Sequence, residues 1–93
     1  MIGVTAVMTA VPGQGNALVE EMQKIAAEVV KEEGNHCYLV HQSVEDADTV
    51  LIYEQYSDQQ ALLAHRDHMT ELGAGLKGLL AGRPDIQLYA LKS

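Results

Sequence analysis

The chain has 93 residues and a formal net charge of −7, and most of its 47% hydrophobic content is aliphatic because it contains no Trp and no Phe. This length predicts a single domain, residues 1–93, with an aliphatic core. The six Lys and Arg residues are scattered along the chain, which argues against nucleic-acid binding and against binding to an anionic membrane surface.

The compartment is predicted from what the sequence lacks. No apolar run approaches the roughly 20 residues of a transmembrane helix, and the N-terminus has no basic segment of the kind found in signal peptides. The single cysteine, Cys37, cannot form an internal disulfide. These features predict a cytoplasmic protein, with Cys37 as a small buried hydrophobic residue rather than a nucleophile.

The first half of the chain predicts a strand followed by an amphipathic helix. Apolar and small residues alternate over residues 2–11, which is the period of a strand, and Pro12-Gly13 ends it. A helix is predicted from Gln14 to Glu33, terminated by Gly34 as its C′ residue. Its apolar stripe at helical spacing consists of Leu18, Met22, Ile25 and Val29.

The second half predicts a hairpin, a second helix and a last strand. The hairpin strands are His36–Ser43 and Thr49–Tyr56, joined by an acidic loop. Ser57 is the predicted N-cap of the helix, and Gln60 completes a capping box with it. The inward stripe of this helix is Leu62, His65, Met69, Leu72 and Leu76. Alternation in residues 86–91 predicts the last strand.

The order β-α-β-β-α-β predicts an α+β, ferredoxin-like fold, a four-stranded antiparallel sheet with both helices on one face. Both faces of the sheet carry apolar residues, since Val50 and Ile52 point one way while Leu51 and Tyr53 point the other. Helices can cover only one of these faces. We therefore predict a homodimer in which a second copy covers the helix-free face.

His65 is the predicted catalytic residue. Its place on the inward stripe of the second helix directs it towards the sheet, where a neutral imidazole in a partly dry cavity can accept a proton. The alternative is a core histidine whose nitrogens are satisfied by Tyr, Glu or backbone groups. Glu54, if it points inward, could raise the basicity of a neighbouring histidine, or it could form an interface ion pair with Arg66 or Arg83.

Six further residues are predicted to bind the substrate, because they are polar or share the face of His65. They are Tyr53, Tyr56, His68, Asn35, His36 and Met69. A tyrosine hydroxyl can hold a substrate oxygen, although tyrosine and methionine also serve as core residues. His36 shares one face of its strand with Tyr38, and His41 shares the other with Cys37. The sequence leaves open which of these faces the helices.

No metal or organic cofactor is predicted. His65 and His68 can share one helix face, but a metal site needs a third ligand, and no known zinc spacing occurs. The turn at residues 12–15 lacks both the G-x-G-x-x-G pattern of dinucleotide binding and the Lys-Ser/Thr of a P-loop.

Two motifs resemble the antibiotic-biosynthesis-monooxygenase family of dimeric α+β barrels. They are G-x-x-x-Y-x-x-H, beginning at Gly34, and Y-E-x-Y-S-x-x-x-A-L-x-x-H, which runs from Tyr53 to His65. The strand, Pro-Gly turn and helix before them also fit, so the resemblance spans nearly the whole domain. Two features depart from the family. Its second histidine usually lies further along the chain, in a Pro-His-Phe-like segment, whereas His65 and His68 are only three residues apart. The chain also contains no Trp, which argues against the haem-degrading branch.

The resemblance implies a cofactor-independent monooxygenase that acts on a quinol or another electron-rich aromatic in a cavity between sheet and helices. Its expected partners are a second copy of the chain and a small aromatic or quinone-like molecule. Two alternatives remain open at this point. One is an isomerase of a small hydroxy-carbonyl compound that uses the same base, and the other is a non-catalytic binding or stress-response protein.

Overall fold

The structure, a computed structural model, describes residues 1–93. Two helices pack on one face of a four-stranded antiparallel sheet with strand order β2-β3-β1-β4, which confirms the predicted ferredoxin-like α+β fold. The elements are β1 (Ile2–Thr9), α1 (Gly15–Val29), β2 (Asn35–Gln42), β3 (Thr49–Tyr56), α2 (Gln59–Leu72), a 3-10 turn (Gly73–Leu76) and β4 (Asp85–Ala90). Neither helix has the length and apolar character that crossing a membrane requires.

The core lies between the helices and the sheet, because each element presents an apolar stripe to that space. All four residues of the predicted α1 stripe are buried, and β3 buries every second residue from Val50 to Tyr56. The buried residues of the main cluster are Ala6, Met8, Ala10, Leu18, Met22, Ile25, Val29, Tyr38, Val50, Ile52 and Leu76. The sequence pattern therefore identified the buried face of both elements.

The hairpin loop between β2 and β3 is tied to the start of α1. The two carboxylate oxygens of Asp48 accept hydrogen bonds from the backbone N–H groups of Gly13 (3.1 Å) and Gly15 (2.9 Å). These donors would otherwise lack partners at the beginning of the helix. The approach is so close that a Cβ on Gly15 would overlap the carbonyl group of Ala47.

Replacing Gly15 with Ala should therefore destabilise the fold. The added methyl group would force two backbone segments apart, and overpacking of this kind costs about 1–3 kcal/mol. The matched control is Gly82→Ala, since a Cβ at that glycine would meet no atom within 4 Å. Equilibrium urea unfolding of both variants measures the difference, and equal stabilities would contradict the close approach.

Helix α1 ends earlier than predicted. The sequence pattern placed its end at Glu33, with Gly34 as the C′ residue, but the helix ends at Val29. The N–H groups of Lys31 and Glu32 instead bond to carbonyls three residues back, which tightens the chain into a turn. Gly34, at φ 87°, leads this turn into β2. As a result Glu32 lies on a turn beside α2.

The N-cap of α2 also differs from the prediction. Asp58, not Ser57, occupies this position, and its Oδ1 accepts a hydrogen bond from the backbone N–H of Ala61 at 2.9 Å. The predicted capping box between Ser57 and Gln60 is therefore wrong. The Ser57 hydroxyl lies 2.7 Å from His36 Nε2 instead. Asp is as good a capping residue as Ser, so local preference did not distinguish the two positions.

A register shift at the start of β2 changes the placement of its polar residues. Asn35 pairs with Tyr56 and Cys37 with Gln55, so His36 is the extra residue of a β-bulge. The prediction that His36 shares a face with Tyr38 is therefore wrong: His36 is exposed, whereas Tyr38 is buried against the helices. The sequence left open which face of β2 packs against the helices. In the structure it is the face that carries Tyr38.

The helix-free face of the sheet is apolar and uncovered in the single chain. Val7, Leu39 and Tyr89 are exposed there, and Tyr53 is half-buried among them. On the opposite face, β4 lies beyond the reach of the helices, so Ile86 and Leu88 remain about half exposed, at 52% and 50%. The uncovered part of β4 forms one side of a cavity.

Candidate functional site

A cavity of about 200 Å³ lies between the sheet, α2 and β4. Most of its wall is apolar, and its polar groups come from Tyr38, Glu54, His65 and Arg66. The apolar wall is formed by Val4, Ala6, Met8, Leu62, Met69, Leu76, Pro84, Ile86 and Leu88. An apolar hollow with a few convergent polar groups is the usual form of a small-molecule site.

His65 is buried at the polar end of this cavity, with 6% of its surface exposed. Its Nδ1 lies 3.0 and 3.2 Å from the two carboxylate oxygens of Glu32, and its Nε2 lies 3.4 Å from Glu54 Oε1. Burial lowers the pKa of the imidazole, and the nearby Glu32 carboxylate opposes that effect. His65 therefore stands between two carboxyl groups, with its charged form disfavoured mainly by loss of solvent.

Glu54 is the second buried titratable group and extends from β3 towards α2. Burial raises its pKa to about 7, against the lowering effect of the hydrogen bond that it accepts from the Tyr56 hydroxyl at 2.8 Å. A carboxyl group with this pKa exchanges protons near neutrality. The sequence left two roles open for Glu54, as an inward neighbour of a histidine or as part of an interface ion pair. In the structure Glu54 points inward and lies beside His65.

Two tyrosines enclose His65. The ring centroids of Tyr56 and Tyr38 lie 5.1 and 5.9 Å from that of the imidazole, at tilted angles. Burial and the neighbouring Glu54 carboxylate raise the pKa of both phenols far above the usual value. Both hydroxyls therefore stay protonated and can act only as neutral hydrogen-bonding groups.

The predicted site residues do not all lie in one place. His65 and Met69 line the cavity, whereas Tyr56 supports it through Glu54 and His68 lies behind His65 against Glu32. The other three are outside the cavity. Tyr53 is on the helix-free face, where its hydroxyl accepts a hydrogen bond from Gln55 Nε2 at 2.8 Å. Asn35 and His36 lie at the bulge, where Asn35 Nδ2 donates to the carbonyl of Cys37 at 3.1 Å.

Three residues at the site were not among the predicted catalytic or substrate-binding residues: Glu32, Tyr38 and Arg66. Tyr38 could have been found, because it alternates with Val40 towards the helix side of β2. Glu32 carries no such signal, because the sequence pattern predicts it on α1 among several other acidic residues. Arg66 lies next to His65 in sequence and reaches the rim of the cavity from an exposed position.

No group of three or more His, Cys, Asp or Glu side chains is arranged to hold a metal ion. The nearest candidates, His65 and His68, both direct Nδ1 to one carboxylate, that of Glu32. They use this carboxylate as a shared hydrogen-bond partner.

The family model for antibiotic biosynthesis monooxygenases matches residues 1–70. The chain belongs to this family. The match contains His65, Glu54, Tyr38 and Glu32, but it ends before the 3-10 turn and β4, which form one wall of the cavity. No curated protein matches the chain at a significant level.

Solved structures of similar proteins cover nearly the whole chain. PA3566 from Pseudomonas aeruginosa is 28% identical, with a TM-score of 0.88 over 99% of this chain and 94% of its own. A conserved protein from Methanosarcina mazei is 27% identical, with a TM-score of 0.86 over 98% and 92%. Rv0793 from Mycobacterium tuberculosis, at 21% identity and a TM-score of 0.86 over 99% and 95%, shares the fold. The fold that this chain shares with these structures therefore includes β4.

Proposed function

We propose that this protein is a cofactor-independent monooxygenase of a quinol or another electron-rich aromatic ring. The observation that supports the proposal is the buried Glu54–His65 pair at the polar end of an otherwise apolar cavity. Such a pair can remove a phenolic proton while the apolar wall keeps the ring out of water. His65 is the proposed base, and Glu54 tunes its proton affinity.

The chemistry needs little from the protein beyond this deprotonation. A hydroquinone anion is electron-rich enough to reduce O2 itself, so the ring supplies all four electrons. One oxygen atom enters the ring and the other leaves as water, which converts a hydroquinone and O2 into a hydroxyquinone and H2O. The protonated tyrosine Tyr38 and the guanidinium of Arg66, both at the cavity, can stabilise the oxyanion that forms.

The dimensions of the cavity favour a small substrate. An apolar protein cavity of about 150 Å³ accepts a benzene molecule. The 200 Å³ observed here accommodates one substituted ring, with larger substituents directed to the open side at Ile86 and Leu88. Arg66 is the one cationic group of the lining, which suits a phenolate.

We also propose that the protein acts as a homodimer in the cytoplasm. The exposed Val7, Leu39 and Tyr89 on the helix-free face support a second copy as the cover, since burying them stabilises the sheet. The single free cysteine, Cys37, suits a reducing compartment.

Oxygen uptake with simple hydroquinones tests the function. We expect consumption of one O2 per hydroquinone above the rate of autoxidation, and with ¹⁸O2 one labelled atom in the product and one in water. Hydroquinone that binds with no O2 consumed above autoxidation would contradict the proposal. In that case stoichiometric binding without turnover would favour a binding protein of the same fold.

A second candidate is an isomerase of a small hydroxy-carbonyl compound. The observation that favours it is Glu54, whose pKa of about 7 suits a base that moves a proton between adjacent carbons. Solvent deuterium would then enter the carbon next to the carbonyl group under anaerobic conditions. Absence of that exchange, together with O2 consumption, would exclude the isomerase.

A further inference from the structure

Glu32 joins two histidines at the end of the site away from the cavity. Its carboxylate oxygens lie 3.0 and 3.2 Å from His65 Nδ1, and its Oε2 also lies 2.6 Å from His68 Nδ1. The three side chains become more exposed towards the surface, from 8% for His65 through 12% for Glu32 to 36% for His68. The Glu32 carboxylate, on the turn after α1, thus contacts two imidazoles of α2.

These contacts determine where the ring protons lie. A carboxylate only accepts hydrogen bonds, so each imidazole must present Nδ1–H to Glu32. For neutral His65 this leaves the lone pair on Nε2, the nitrogen 3.4 Å from Glu54. Free histidine in water prefers the opposite arrangement, and a hydrogen bond of this kind is what reverses it. Glu32 therefore selects the tautomer that can act as a base towards the cavity.

We propose that Glu32 is the positioning residue of His65, and that His68 holds Glu32 in place from the solvent side. The inference rests on the proposed function for the role of His65 as a base. Glu32 orients the imidazole, keeps Nε2 unprotonated and stabilises the imidazolium that forms when His65 accepts the phenolic proton of the substrate. This is the division of labour by which a buried carboxylate supports a histidine base in hydrolases.

The protonation of His65 depends on every charged or titratable group that faces it. Glu32 approaches from the turn, Glu54 and Tyr56 from β3, and Tyr38 from β2. His68 and Arg66 belong to α2 itself, and both oppose protonation of His65. Of these groups only Glu32 contacts Nδ1, so only its replacement should change the tautomer directly.

Nitrogen NMR of histidine-labelled protein tests the inference without any need for turnover. In the wild type we expect the Nδ1–H form for both His65 and His68. In Glu32→Leu neither imidazole has an acceptor at Nδ1, whereas Nε2 of His65 still lies beside the Glu54 carboxyl group, so His65 should change to the Nε2–H form. Glu28→Gln, at an exposed glutamate paired with Lys31, should leave both unchanged. The inference is overturned if His65 keeps the Nδ1–H form in Glu32→Leu.

The kinetics of the same variant separate positioning from binding. With a hydroquinone substrate, Glu32→Leu should lower kcat by roughly 100-fold or more while KM changes little, because the base is misoriented and the cavity wall is intact. His68→Gln, which keeps a donor for Glu32, should lower kcat less than His68→Leu, which removes that donor. Unchanged kcat in an active Glu32→Leu enzyme would refute the positioning role.

The two hypotheses can fail separately. If no hydroquinone is oxidised but the His65 tautomer responds to Glu32→Leu as expected, the proposed function fails and the geometric role of Glu32 stands. If oxidation occurs and the tautomer does not respond, the function stands and the positioning role fails. Thermal unfolding of both variants establishes that each measurement is made on folded protein.

Discussion

Replacing His65 with Ala should reduce hydroquinone turnover by at least about 100-fold, the usual contribution of a general base. Removing the imidazole deletes the one nitrogen base at the cavity and leaves Glu54 without its partner at 3.4 Å. We expect the loss in kcat rather than in KM, since the apolar wall that holds the ring is unchanged. Steady-state oxygen consumption measures both constants.

A matched control for this variant lies on the same helix. Thr70 is exposed and its hydroxyl bonds only to the carbonyl of Asp67, so Thr70→Ala should retain full activity. His65→Gln keeps a polar side chain between the two carboxyl groups, so it tests the same role if His65→Ala fails to fold. Wild-type rates in a folded His65→Ala or His65→Gln protein would eliminate His65 as the base.

Replacing Glu54 with Gln should make the protein more stable above pH 7 and less active. The pKa of Glu54 rises from 4.5 to about 7 on folding, so the folded state holds a proton that the unfolded state loses between these values. The free energy of unfolding therefore falls as the pH rises from 4.5 to about 7. Above this range the loss reaches its full value, about 3 kcal/mol or less. Gln carries no such penalty and can still accept the Tyr56 hydrogen bond.

Urea unfolding at pH 4 and pH 8 measures this effect. We expect the gain from Glu54→Gln to be present at pH 8 and absent at pH 4, where the carboxyl is protonated in both states. Glu20→Gln, at an exposed glutamate on α1, should show no comparable difference between the two pH values. An equal effect of Glu54→Gln at both values would show that the carboxyl group is not held in a dry environment.

The sequence pattern predicted those parts of the fold that depend on simple periodicity. Strand β3 has the predicted bounds, Thr49–Tyr56, because its alternation is uninterrupted. The inward register of His65 followed from its spacing to Leu62 and Met69 on α2. These features arise from burial of one face, which a single sequence records directly.

The features that the sequence did not predict depend on contacts between distant segments. A bulge shifts the register between Asn35 and Cys37, and this shift removes His36 from the face that periodicity assigns to it. Glu32 became part of the site because α1 ends one turn early, which brings it beside residues 33 and 36 positions away. Propensity alone carries no signal for either event, since both depend on tertiary packing.

The wall of the cavity near β4 has a consequence for substrate selection. The groups that perform the proposed proton transfer all lie within residues 1–70, whereas Leu76, Pro84, Ile86 and Leu88 lie beyond the part that the family model matches. Changes in these four side chains can reshape the hollow without touching Glu54 or His65. Substitutions at these four positions should therefore change which molecules the cavity of this protein accepts.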